Sequence, residues 1–137
     1  MQRPKLFISY AHDDKDSLVD PLVKTLKIAE YEPWYDWNLI PGLNWQDQLL
    51  GAIKQCDVFV YAMTSKSLAS EWCLWELKQA AELGKPIIPI KLQDNIVLPD
   101  ELAKIQWVDF SKEPSDQAFA RLVAGINAAT TIPPEAV

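Results

Sequence analysis

One stretch constrains this chain more than any other: Asp57 followed by VFVYAM, an unbroken apolar run closing at Met63. A run this short, rich in β-branched and aromatic residues and bounded by polar segments, reads as a buried strand. The segment 6–10 (LFISY), following Pro4, has the same character. Segments 87–92 and 106–110 read as further strands, and 33–37 as an edge strand. Between the strands the apolar period changes to that of a helix. Leu18, Leu22, Leu26 and Ala29 recur at helical spacing, with Pro21 tolerable only near a helix start. Leu49, Leu50 and Ile53 do the same within 45–55. Ser70 is a good N-cap for a helix running to Leu83, where Gly84 stops it. A short turn at 99–104 and a last helix at 118–129 complete the series. Segment 38–44 (NLIPGLN) reads as a loop with a Pro-Gly turn, and 64–70 as a polar loop.

Strands and helices therefore alternate, which calls for a parallel sheet covered on both faces. Five strands joined by right-handed crossovers predict an α/β, flavodoxin-like, three-layer fold with strand order 2-1-3-4-5. Ligands of such sheets bind beyond the carboxyl ends of the strands where the order reverses. Here that crevice falls at the loops 11–15 and 64–70. A length of 137 residues suits one domain, expected over 1–130. Residues 131–137, with Pro133 and Pro134, read as a tail or the start of a linker.

Composition removes several classes of function. With 13 basic against 19 acidic residues the formal charge is -6, and no Lys/Arg run occurs. Such a chain is a poor binder of phosphate backbones, so neither nucleic acid nor a membrane is expected as a partner. No apolar run is long enough to span a bilayer, and residues 1–5 lack the apolar region of a secretory signal. The two cysteines, Cys56 and Cys73, sit inside apolar patterns and read as buried hydrophobes, which fits a reducing cytoplasm. The four glycines are too scattered for a dinucleotide-binding turn or a phosphate loop. With His12 as the single histidine, a metal site is not expected. A Ser-His-Asp triad would hang on His12 alone, and no GxSxG elbow exists. The acidic cluster Asp13, Asp14 and Asp16 suggests a phosphorylatable receiver. That reading fails, because Asp57 begins the third strand instead of ending it.

The helix after Ser70 sorts by face. Cys73, Leu74, Leu77, Ala80 and Ala81 form an apolar stripe, and Lys78 with Glu82 an outward pair. Trp72, Trp75, Glu76 and Gln79 remain together on another face. Either the tryptophans pack over a sheet edge with Glu76 solvated, or they wall a site around a carboxylate.

Phe7-Ile8-Ser9-Tyr10, the Pro41-Gly42 loop before Trp45, and Ser70-Glu71-Trp72-Cys73-Leu74-Trp75-Glu76 stand in order along nearly the whole chain. Together they resemble a Toll/interleukin receptor (TIR) homology domain of bacterial, NAD-cleaving type. In catalytic members a WxxxE pattern carries the glutamate that cleaves NAD+; here it reads Trp72-xxx-Glu76. The resemblance implies an NAD+ glycohydrolase releasing nicotinamide and ADP-ribose or a cyclic isomer, in bacterial defence or toxin signalling. NAD+ is then substrate and no cofactor is needed. It also implies partners, other TIR domains in a homo-oligomer or filament, met through the loop 38–44 with Pro41 and Gly42. Tyr10 is a stacking wall for the substrate or ordinary strand-end packing. His12 touches substrate or stays a solvated loop residue. Trp45 stands where the family places an aromatic near substrate, or it caps the core at a helix start. Asp36 and Trp37 flank the same loop. Many relatives are adaptors without catalysis, and nucleoside deoxyribosyltransferases share both fold and a working glutamate, so both alternatives stand beside the enzyme.

Overall fold

The computed structural model describes residues 3–35, 41–111 and 115–131. Five strands form one sheet: β1 (Lys5–Ser9), β2 (Glu32–Trp34), β3 (Val58–Met63), β4 (Ile87–Lys91) and β5 (Val108–Asp109). Their order is β2-β1-β3-β4-β5, and every neighbouring pair is parallel, as the alternation requires. Pro89 sits inside β4 without breaking it. The Leu92 amide bonds to Met63 on β3, so by alternation the missing N–H at residue 89 faces the other side. On that side pairing with β5 begins only at Ile90.

Helices cover both faces: α1 (Asp20–Ile28), α2 (Trp45–Gln55), α3 (Ser65–Ala69), α4 (Glu71–Glu82), α5 (Asp100–Ala103) and α6 (Ser115–Thr131). Period-two alternation divides the strands between two cores. Leu6, Ile8, Val58 and Val60 pack with Leu22 and Leu26 of α1 and Leu122 and Ile126 of α6. Phe7, Phe59, Tyr61 and Met63 pack with Leu49 and Ile53 of α2 and Cys73 and Ala80 of α4. On this second face Phe7 stacks on Trp34 and Phe59, with centroids 5.2 and 5.3 Å apart, a row of rings across β2, β1 and β3. Cys56 and Cys73 are free and buried. Burial pushes the Cys56 thiol up to about 11, so it stays protonated and acts as packing.

Several expectations change. The polar stretch 64–70 contains the short helix α3, because Thr64 and Ser67 form a reciprocal capping box that satisfies its first amides. Leu18 precedes α1; one tight turn (His12–Asp14) and one wide turn (Lys15–Val19) come first, and Pro21 lies in the opening turn of α1. Along α4 the buried side chains are Cys73, Glu76 and Ala80, while Leu74 and Ala81 are exposed. The strand expected over 33–37 is Glu32–Trp34 in the structure. Asp36, Trp37 and the first part of the loop, residues 38–40, lie outside the described residues, as do Pro133 and Pro134. Among the described residues no helix is long and apolar enough to cross a membrane.

Candidate active site

The site is assembled by the start of α4. Ser70 caps it, accepting the Cys73 amide at 3.2 Å. One turn of helix then separates Trp72 from Glu76, and the two meet different surroundings. Trp72 is 50% exposed, whereas Glu76 is 7% exposed and lies on the sheet-facing stripe between Cys73 and Ala80. A carboxylate there needs a partner, since burying an unbonded charge is costly. Ser9 supplies one: its hydroxyl donates to Glu76 Oε1 at 2.8 Å, from the end of β1. Glu76 is thus not the solvated residue that one reading of the tryptophan face proposed.

The tryptophans meet at the facing ends of two helices. Trp45 opens α2, whose N-cap Asn44 accepts the Asp47 amide at 3.1 Å. The Trp45 ring meets Trp72 at a centroid distance of 3.6 Å and Trp75 edge-on at 6.1 Å. Three indoles therefore form one aromatic wall between α2 and α4.

Tyr10, His12, Trp45, Leu49, Ser70, Trp72 and Glu76 line a cavity of about 410 Å³. The structure brings Tyr10, His12, Trp45, Trp72 and Glu76 to this one place. Tyr10 is 7% exposed, belongs to the core under α1 and α6, and meets Tyr35 edge-on at 6.2 Å. It is strand-end packing and cavity wall at once. His12 is exposed on the turn that follows. Pro41 and Gly42 are exposed and do not line the cavity; Gly42 adopts φ 89°, which favours glycine.

The crevice differs in one respect from its expected place. The loops after β1 and β3 contribute His12 and Ser70, but α2 and α4 supply most of the wall. Those two loops are instead tied to each other. Buried Thr64 donates to Asp14 Oδ2 at 2.6 Å, and on the surface Lys66 pairs with Asp13 at 3.5 Å. Three residues of the site region lay outside the expected set: Ser9, Leu49 and Ser70. Ser9 carried a signal, being a polar residue within an otherwise apolar strand.

Two larger cavities, of about 520 and 680 Å³, lie elsewhere. Their lining carboxylates, Glu32, Asp47 and Asp116, are all exposed. Chemistry favours the smaller cavity, where the carboxylate is withdrawn from water. Among the described residues no group of three or more His, Cys, Asp or Glu side chains is placed to hold a metal ion.

A family model described as "TIR domain" matches residues 6–123. No curated protein sequence matches the chain significantly. Solved structures share its fold. The TIR domain of the Toll-related receptor TRR-2 from Hydra magnipapillata superposes with a TM-score of 0.78 at 22% identity, covering 89% of this chain and 97% of that one. The TIR domains of the activated Roq1 resistosome give 0.72 at 16% identity, over 90% and 99% of the two chains. A CMP N-glycosidase, BcmB, from Clostridium botulinum gives 0.64 at 17% identity, over 88% and 98%.

Proposed function

This chain belongs to the TIR domain family, and from that premise we propose that it is an NAD+ glycohydrolase of bacterial type. The observation that carries the reading is Glu76, a carboxylate 7% exposed at the wall of an aromatic-lined cavity. NAD+ suits a site with one such group. Its nicotinamide leaves from a cationic pyridinium, so it departs neutral and needs no proton donor; the carboxyl pair of ordinary glycosidases is unnecessary. As the C1′–N bond breaks, its electron pair passes to the ring nitrogen and positive charge develops on the ribose. Glu76 stabilises that charge electrostatically. Water then adds at C1′ and loses a proton to solvent, giving ADP-ribose; attack by the adenosine end of the same molecule gives a cyclic isomer. Trp45 and Trp72 offer aromatic faces to the bases, and Tyr10 and His12 the opposite rim. The similarity in fold to a CMP N-glycosidase supports chemistry at an N-glycosidic bond.

The same reading includes self-association. Leu43, beside Pro41 and Gly42, is exposed, as are Trp45 and Trp72 at the cavity mouth. A second copy seated there would bury apolar surface that water now covers. Contacts between two unlike surfaces propagate as open filaments where the rotation does not close into a ring. The similarity to TIR domains of an activated resistosome supports such assembly. The setting proposed is bacterial defence or toxin signalling in the cytoplasm.

That apolar rim also favours a second reading, a TIR adaptor that assembles without cleaving anything. Incubation with NAD+ at rising protein concentration, followed by chromatography of nicotinamide, separates the two. The enzyme releases nicotinamide, with specific activity rising as copies associate. Glu76→Gln lowers release by roughly two to three decades, the usual effect of deleting one electrostatic stabiliser. No release at any concentration, or full release by folded Glu76→Gln protein, removes the catalytic reading.

A further inference from the structure

We propose that Ser9 is the positioning residue of this site, a hydroxyl that orients Glu76 and favours its ionised form. The proposal rests on reading Glu76 as the working carboxylate. Ser9 ends β1 opposite Tyr61 of β3, and it is 1% exposed. Alternation along β1 puts it on the side of Phe7, toward the core under α2 and α4, where an apolar residue would pack. A hydroxyl in such a place is destabilising unless it is bonded. The partner is Glu76 Oε1 at 2.8 Å, 67 residues away in the chain. Nothing local requires serine here; the long-range bond does.

The pair is unequal in freedom. Ser9 stands on a central strand, two residues past Phe7, the last β1 partner of β2, and is held by β3. Glu76 has three rotatable side-chain bonds, so the fixed hydroxyl selects among its rotamers. Ser9 does not line the cavity, so it acts through Glu76 and not on substrate. A donor to a carboxylate stabilises the charged form over the acid. Among the described residues, Tyr10 and His12 after β1 and Trp45 on α2 share the cavity wall with Glu76, and Cys73 is buried beside it on α4. Tyr61 on β3 is a further titratable neighbour. Burial first, then Cys73, then Glu76 raise its hydroxyl well above the usual tyrosine range, so it stays neutral. The Ser9 hydroxyl, a donor held in place by the sheet, favours the charged carboxylate.

The test is a carbon-detected NMR titration of the Glu76 carboxyl, assigned by its loss in Glu76→Gln, with nicotinamide release measured across pH on the same proteins. Ser9→Ala should make Glu76 a weaker acid by about tenfold, the lower bound for losing a hydrogen bond to a charged group. The acid limb of kcat should move up in pH by the same factor, with KM nearly unchanged. Ser9→Thr keeps the donor and should restore both; Ser9→Cys, a weaker donor but less bulky than Thr, should fall between. An unchanged Glu76 titration in folded Ser9→Ala overturns the proposal, as does a loss that neither Thr nor Cys relieves. If the wild-type protein releases no nicotinamide, the enzymatic reading fails, and the titration still decides whether Ser9 governs Glu76.

Discussion

The cavity has two walls built to different rules. One, at the end of β1, is continuous with the core: Tyr10 is packed among Val19, Leu22 and their neighbours, and the turn after it is held by the Asp14–Thr64 hydrogen bond. The other is made of Trp45 and Trp72, which are 38% and 50% exposed and meet each other and, through Trp45, Trp75. The first wall cannot move without disturbing the sheet. The second can be rearranged or covered at little cost to the fold. In the proposed function, holding a reacting ribose calls for the first kind of surface and responding to a neighbouring copy for the second.

Substitutions can break this contrast. Tyr10→Ala should have the largest effect on stability, about 3–5 kcal/mol as for other buried aromatics, read as a lower denaturation midpoint. If that variant melts like the wild type, the β1 wall is not core. Thr64→Val keeps shape but removes both the donor to the buried Asp14 carboxyl and the cap of α3, and should cost at least about 1.5–3 kcal/mol in the same measurement. Hydrogen exchange should show the turn at 12–14 loosening along with it. A neutral Thr64→Val would mean the two loops hold their places independently. Trp72→Ala should be the mildest, losing one ring contact worth about 0.5–1.5 kcal/mol. Its turnover of NAD+ per folded molecule should nonetheless fall. Equal losses of stability at Tyr10 and Trp72 would erase the distinction between the walls.

The parts legible in the sequence were those written in short-range patterns. The run ending at Met63 and the LFISY segment announced central strands, and the helix expected over 45–55 has those bounds in the structure. Strand order followed from alternation and handedness. Polar pairs distant in sequence were not legible. Hydropathy placed Leu74 and Ala81 in the core and Glu76 outside it, because no local rule shows that a glutamate has a hydroxyl waiting on β1. Once that bond is allowed, Cys73, Glu76 and Ala80 become the buried stripe, and the helix turns Leu74 toward water. Asp14 looked like one of three surface acids for the same reason; its partner Thr64 lies 50 residues on. The helix at 65–69 was hidden by its polarity, since a capping box satisfies ends that an apolar pattern would not reveal.

The separation between Ser9 and Glu76 also has a consequence for a chain still being made. Synthesis delivers β1 first, yet its β3 partner arrives about fifty residues later and Glu76 later still. Contacts of such long range form late in folding. While α4 is still within the ribosome, the emerged portion has a serine at the end of β1 and no carboxylate for it to orient. Truncated or stalled products ending before residue 76 are therefore inert toward NAD+ in the proposed reaction.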